Sequence, residues 1–388
     1  RNNFFTFKGR KKIFFLQIFS QSILTFCPIV LDIATRILAL REVDGPNILL
    51  IGAKFVTLSI IKPMQMDIDH ILHSIQSPED ADNIALQLFR FQAEHCAPYR
   101  DYIALMGIDP MTITSVEDIP FLPVELFKSH DIYCAPTPPE IVFTSSNTGA
   151  TTPSRHMMAS LEVYRKAFVE AFTQFYGVPD GWSIYGLLPN YLEREGSSLV
   201  YMVDHLIRLA GSGGFYLNDY ERLIRDMEAD PKPKILLGVS YALWDLAEQY
   251  APRLRNTIVM ETGGMKGRRK ELSKAELHAI LTRGFGVERI HSEYGMAELT
   301  SQAYSDGEGI FTPPRWMRIL VRDVNDPFDH HPKGMRGGVD IVDLANLTSC
   351  AFIQTQDMGV LLSDGRFRIE GRIAGSDIRG CNLLVHNI

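Results

Sequence analysis

The chain has no run of about 18 unbroken apolar residues, the minimum for a membrane-crossing helix. It has five cysteines in 388 residues and no C-x-x-C pair. That excludes a disulfide scaffold and a cysteine zinc site, and the odd count fits a reducing, cytoplasmic compartment. A basic excess is also missing: 39 Lys and Arg face 46 Asp and Glu, a net charge of −7, which argues against a general nucleic-acid binder. Neither an internal repeat, a low-complexity tract nor a Cys/His metal cluster occurs. His330-His331 reads as a solvated turn pair, and His70 with His73 as one helix flank. With 46% hydrophobic and 22% charged residues, the chain is globular, large enough for one big core or two unequal domains.

Acid is scarce at the beginning. Residues 1–65 carry nine Lys and Arg against Asp32, Glu42 and Asp44, a net +6 (9 minus 3) that leaves −13 for the remainder. The basic start and Ile13-Phe-Phe-Leu look like a signal peptide, but Gln17, Ser20, Gln21 and Ser22 interrupt the apolar run. Met66 opens a stretch of balanced composition. It reads as the native start, with residues 1–65 as upstream sequence read in frame; the alternative is a basic amphipathic extension that touches membranes.

From Met66 onward the pattern is that of an α/β protein. Ser77-Pro78-Glu79-Asp80 supplies a cap, a first-turn proline and two acids ahead of Ile84, Leu88, Phe89 and Phe91, and so predicts a helix start. Strands are predicted at Ser183-Ile-Tyr-Gly-Leu-Leu, Lys234-Ile-Leu-Leu-Gly-Val, Asn256-Thr-Ile-Val-Met and Glu288-Arg-Ile-His. Helices are predicted over 197–209, over 241–249, and over 274–283 behind Ser273. Such alternation implies a mainly parallel sheet with helices on its faces and ligands at the carboxyl ends of its strands. From about Trp316 helical runs give way to short strands such as Met317-Arg-Ile-Leu-Val-Arg and Phe367-Arg-Ile.

What the chain has in plenty is hydroxyl groups around one glycine. The run Phe143-Thr-Ser-Ser-Asn-Thr-Gly-Ala-Thr-Thr-Pro-Ser-Arg155 follows the strand-like Ile141-Val-Phe-Thr and packs seven of them. Hydroxyls and exposed backbone N–H groups suit phosphate oxygens, and Gly149 lets the backbone approach closely. Ala150 and Thr151 stand where the common mononucleotide loop needs Lys and Ser/Thr, which excludes a kinase- or GTPase-type loop. A Ser/Thr-rich turn by itself is more often an ordinary loop or helix cap.

The order Ser-Ser-Asn-Thr-Gly, then Pro and Arg155, resembles the phosphate loop of the adenylate-forming superfamily, which includes acyl-CoA synthetases, luciferases and acyl-protein synthetases. Further motifs follow in that family's order. Ser292-Glu-Tyr-Gly-Met-Ala-Glu298 is similar to its Tyr-Gly-x-Thr-Glu pattern, with Ala297 for Thr. Glu261-Thr-Gly-Gly264 resembles its glycine-rich adenine-side segment. Gln354-Thr-Gln-Asp357 stands for Thr-Gly-Asp, with Gln356 for Gly, and Gly371-Arg372 resembles the Gly-Arg that ends its large domain.

The resemblance implies ATP and Mg²⁺. Thr144, Ser145, Ser146, Asn147, Thr148, Gly149 and Thr151 would hold phosphates, and Gly263, Gly264, Tyr294 and Gly295 the adenine. Asp357 and Arg372 would hold the ribose, and Glu298 with Thr148 the metal. The implied fold is an α/β adenylate-forming large domain, with mainly parallel sheets flanked by helices, over 66–315. A small β-rich subdomain over 316–372 follows, and the usual mobile C-terminal domain is almost absent, since 388 minus 372 leaves 16 residues.

The tail over 373–388 carries Cys381. The whole resembles the acyl-protein synthetases of the bacterial luminescence fatty-acid reductase complex, which activate a fatty acid with ATP and carry it on a cysteine near the C-terminus. That implies Cys381 as acyl acceptor and, as partner, an acyl reductase or an acyl carrier protein. The usual C-terminal catalytic Lys is missing, and Lys266 is the candidate substitute, ahead of Arg155 and Arg372. Candidate acid-pocket walls are Tyr185, Leu187, Leu188, Tyr201 and Tyr241. Two rivals stay open: a ligase that loads CoA or a carrier protein with the help of a separate domain, and a non-catalytic nucleotide-binding subunit.

Overall fold

The computed structural model of the chain describes residues 67–145, 152–188, 196–265, 269–270 and 272–373. All lie in one compact unit that begins at Met66. Two six-stranded sheets and a hairpin organise it.

The first sheet is built by the strand–helix alternation. Its order is β5 (Gly213–Phe215), β4 (Ser183–Leu187), β6 (Lys234–Val239), β7 (Thr257–Thr262), β8 (His291–Tyr294) and β9 (Ala303–Ser305). All neighbours are parallel except β8 and β9. The strands β4 and β6 are buried along their whole length, as expected when helices cover both faces of a parallel sheet.

Eight helices need naming, α1 (Ile68–Ser74), α2 (Pro78–His95), α3 (Ala97–Leu105), α4 (Leu126–Ser129), α5 (Leu161–Tyr176), α6 (Ser198–Ala210), α7 (Tyr220–Ala229) and α8 (Ser240–Gln249), before α9 (Lys274–Phe285). Local chemistry sets their starts. Ser77 and Ser273 each close a reciprocal capping box with the acid three residues on, Asp80 and Glu276. A left-handed glycine, Gly211 or Gly286, ends α6 and α9.

The second sheet runs β10 (Ile310–Phe311), β14 (Phe367–Arg372), β13 (Phe352–Leu361), β12 (Arg336–Asp343) and β11 (Met317–Arg322), all antiparallel. A strand from far upstream, β1 (Leu122–Pro123), joins β13 in parallel. Helix α2 packs on this sheet through the fully buried Phe89 and Gln92. The Gln92 amide donates to the Asn346 carbonyl at 2.8 Å and accepts from the Ala351 N–H at 2.8 Å. The hairpin β2 (Ile141–Thr144) and β3 (Arg155–Met158) brackets the hydroxyl-rich loop.

Two local expectations are corrected. The strand expected over Glu288-Arg-Ile-His forms three residues later, so that β8 carries Ser292, Glu293 and Tyr294 themselves. His330 and His331 are not a solvated pair, because each side chain is mostly buried. His330 Nε2 lies 3.3 Å from Asp340 Oδ2 and His331 Nε2 lies 3.6 Å from Asp323 Oδ2.

Asp340 also accepts from the Arg322 guanidinium at 2.7 Å, and both side chains are almost fully buried. A second Arg322 nitrogen donates to the Thr355 carbonyl at 3.0 Å, which ties β11, β12 and β13. Removing one partner of such a pair strands a buried charge. Asp340→Ala should therefore destabilise the chain by about 3–5 kcal/mol, whereas Arg322→Met with Asp340→Leu should recover most of the loss. Urea unfolding of the three proteins checks this; equal stability of Asp340→Ala and wild type would contradict it.

Candidate nucleotide site

The described site residues gather at the ends of β7, β8 and β14, beside the middle of β13, and at the mouth of the hairpin. Tyr294 closes β8, and its hydroxyl donates to Asp357 Oδ2 at 2.8 Å. Asp357 lies on β13 in register with Arg372 on β14. Arg372 Nε stands 3.9 Å from Asp357 Oδ1, and the Arg372 guanidinium also donates to Gln356 Oε1. Three residues from three motifs thus meet at one carboxylate. The Tyr294 ring is buried against the stacked pair Phe311 and Phe367, with centroids at 5.7 and 5.5 Å. An ionised carboxylate has about four lone-pair sites and so accepts from more than one donor.

Gly295 has a steric reason. A Cβ there would stand 2.4 Å from Glu293 Oε1, closer than real contacts allow. Gly263 adopts φ +71°, a left-handed value suited to glycine, and its carbonyl accepts from the Ser240 hydroxyl at 2.8 Å. Gly264 is buried beside it.

Glu298 is buried on the loop after β8. Its carbonyl accepts from Asn346 Nδ2 at 3.1 Å, and that amide also donates to the Cys350 carbonyl at 2.8 Å. The fully buried His156 of β3 joins this loop to the hairpin. Its Nδ1 stands 2.8 Å from the Ala297 carbonyl and its Nε2 3.1 Å from Asn346 Oδ1. Burial holds the His156 pKa below the ordinary histidine value, against those two oxygens and the Glu298 charge. Asp343 completes the frame by accepting from the N–H groups of Thr300 and Ser301 at 2.8 and 2.9 Å.

At the hairpin mouth the Thr144 N–H donates to the Gly196 carbonyl at 2.8 Å, and Ser145 Oγ accepts from the Ser154 N–H at 2.9 Å. Ser146, Asn147, Thr148, Gly149, Thr151, Lys266 and Cys381 lie outside the described residues. Arg155 pairs with Asp131 and Arg372 with Asp357, so each already serves a carboxylate. Of the proposed acid-pocket walls, Tyr185 is tied by its hydroxyl to Asp230 Oδ2 at 2.8 Å and Leu187 is fully buried. Tyr201 stacks in a cluster with Phe143, Tyr164 and His205.

Two carboxylates went unread in the sequence. Glu261 and Thr262 on β7 pair with Ser292 and Glu293 on β8, and alternation sends each pair to opposite faces. On one face, Glu261 meets the Lys274 ammonium, the Ser292 hydroxyl at 2.5 Å and His278 Nε2 at 3.4 Å, under α9. Burial alone would raise the Glu261 pKa, but Lys274 and His278 outweigh it and hold it well below the usual range. A lysine at the first position of a helix opposes the macrodipole, and that mismatch was the available sign of a buried partner.

On the other face Glu293 meets the Thr262 hydroxyl and no cation among the described residues. Burial and the nearby Glu261 charge push it up to about 7.

No protein-family model matches the chain, and no curated protein matches it by sequence. Among solved structures it is similar to 2-hydroxyisobutyryl-CoA ligase in complex with 2-HIB-AMP and CoA. The TM-score is 0.60 at 16% identity, over 79% of this chain and 71% of that one. Matches also include ATP-bound MatB from Rhodopseudomonas palustris, at TM-score 0.46 and 16% identity over 60% of this chain and 47% of that one. The amide bond synthetase McbA from Marinactinospora thermotolerans gives TM-score 0.43 and 17% identity over 61% and 49%. The chain thus spans about half the length of MatB and McbA. The α/β fold implied by the motifs, that of an adenylate-forming large domain, is the fold the chain has. Among the described residues, no helix is long and apolar enough to cross a membrane.

The two buried glutamates give opposite pH dependences. Glu293 binds its proton more tightly folded than unfolded, so its contribution falls as pH rises from about 4.5 to about 7. Glu261 is the reverse: its contribution is present above 4.5 and is lost as pH falls below it. Glu293→Gln should therefore match wild type near pH 4.5 and exceed it above pH 7 by on the order of 3 kcal/mol. Denaturant unfolding across pH measures the difference; parallel curves for the two proteins would contradict the assignment.

Proposed function

We propose that the chain activates a carboxylic acid with MgATP and passes the acyl group to a protein thiol. The observation that carries this reading is the meeting of Tyr294, Asp357 and Arg372. Tyr294 and Asp357 lie 63 residues apart in sequence, yet both, with Arg372, come from segments that resemble the nucleotide motifs of one family. Asp357 and Arg372 then hold the ribose hydroxyls. Gly263, Gly264, Tyr294 and Gly295 form the adenine side, which requires the purine to reach Tyr294 past Phe311 and Phe367.

In the first step a carboxylate oxygen attacks the α-phosphorus, the bond to the β-phosphate bridging oxygen breaks, and pyrophosphate leaves. Charge builds on the α-phosphate oxygens and needs cations. Lys266 is assigned to this task, since Arg155 pairs with Asp131 and Arg372 is assigned to the ribose. Mg²⁺ fits as an ion shared with phosphates. It typically takes one or two carboxylates plus substrate oxygens, and Glu298 supplies a hard carboxylate. Among the described residues no group of three acids, histidines or cysteines could hold a metal alone.

In the second step a thiolate attacks the acyl carbonyl and AMP leaves. Cys96, Cys134 and Cys350 are buried, and burial raises the pKa of each. They are poor nucleophiles. Cys381 is assigned as the acceptor, with an acyl reductase or acyl carrier protein as the onward partner and a fatty acid as the acid.

Intact mass after incubation with MgATP and a mixture of fatty acids tests the reading. It should show a hydroxylamine-labile acyl adduct in wild type and none in Cys381→Ser. An adduct that survives Cys381→Ser would overturn the acceptor. Acid-dependent pyrophosphate release with no adduct would assign the acyl group to a free acceptor such as CoA.

A further inference from the structure

A cavity of about 570 Å³ opens beside α9, and Lys274 and His278, the partners of Glu261, form part of its wall. One face of α9, the residues that lead into β8, the turn at Glu308 and Gly309, and Arg368 with Ile369 of β14 line it. Arg368 stands four residues before Arg372 on β14, about 13 Å along the strand. A volume of this size is typical of small-molecule sites.

The chemistry of the walls is uneven. Ala275, Ala279, Ile290 and Ile369 give an apolar floor, while Arg283, Arg289, Arg368, Lys274 and His278 stand against only Glu288 and Glu308. Lys274 and His278 are already engaged by Glu261. Arg289 reaches Asp306 only at 4.0 Å, with both side chains mostly exposed, a separation that contributes little. Arg283 and Arg368 make no ion pair among the described residues, and the buried Nε of Arg368 has no hydrogen-bond partner. A half-buried guanidinium with an unsatisfied N–H is costly unless something accepts from it. Guanidinium groups match phosphate oxygens better than any other side chain.

We propose that this cavity is a second binding site, for an organic phosphate: a dianion held by Arg283, Arg289 and Arg368, with a small apolar or flat body on the Ala275, Ala279 and Ile290 floor. Its lining includes none of the residues assigned above to adenine, ribose or metal, and it does not depend on the acid activation proposed above.

Calorimetric titration of the full chain with phenyl phosphate, a dianion on a flat apolar body, tests it, with adenosine, which has no phosphate, at saturation to fill the nucleotide seat. Binding should persist under adenosine, weaken about tenfold or more in Arg283→Ala/Arg368→Ala, and be absent for the uncharged phenol. Arg283→Ala alone, an exposed helix position, should weaken binding severalfold, which keeps the test sound if the double variant folds poorly. Absence of binding at about 10 mM, displacement by adenosine, or equal affinity in Arg283→Ala and wild type would each overturn the proposal. Failure of acid activation would leave this result unchanged.

Discussion

The hydrogen bond from Tyr294 to Asp357 joins the two sheets. Tyr294 ends a strand of the parallel sheet and Asp357 lies within a strand of the antiparallel one. Both groups are nearly fully buried. A charge-assisted bond of this kind is worth more than a neutral one, and loss of either partner leaves a desolvated polar group. Phe311 and Phe367 press on the same ring from the antiparallel sheet. Together with the backbone bridge between Tyr304 and Thr312, this point ties the two sheets to each other. His156 fixes the hairpin side in a similar way, because it reaches the loop that carries Glu298 and the Asn346 amide beneath it.

Between these two anchors the β7–β8 pair separates two carboxylates by chemistry as well as by face. Lys274 lets Glu261 stay ionised in the interior, while burial raises the Glu293 pKa to about 7. The charged carboxylate holds the start of α9 against the sheet, close to the Gly263 turn through Ser240. The other fills the space that Gly295 leaves open. The strand that supplies the Tyr294 ring is therefore held by polar contacts on both faces.

Much of the fold was legible in the sequence because its signals are local. Caps at Ser77 and Ser273 and apolar runs such as Lys234-Ile-Leu-Leu-Gly-Val depend on a few neighbouring residues, and the structure places helices and strands there. The parallel order follows from alternation. The end of β8 was misplaced because Ser292 and Glu293 look like loop residues, and only partners on β7 and β9 make them strand. The pairing of β1 with β13, more than 200 residues apart, has no local signature. His330 and His331 looked solvated because their acids, Asp340 and Asp323, are brought close only by the β11–β12 pairing. Of the site, Tyr294, Asp357 and Arg372 were read through motif order, whereas His156, Asn346, Glu261 and Glu293 act through tertiary contacts that no short pattern contains.

Whether Asp357 is the ribose-binding carboxylate of a nucleotide site can be decided by comparing the affinities of ATP and 2′,3′-dideoxy-ATP in wild type and Asp357→Asn. Asparagine can still accept from Tyr294 but loses the charge and half the acceptor capacity. The substitution should weaken ATP about tenfold or more and leave the dideoxy analogue nearly unchanged, because the lost contact is made only to the ribose hydroxyls. Equal weakening of both nucleotides, or of neither, would contradict it.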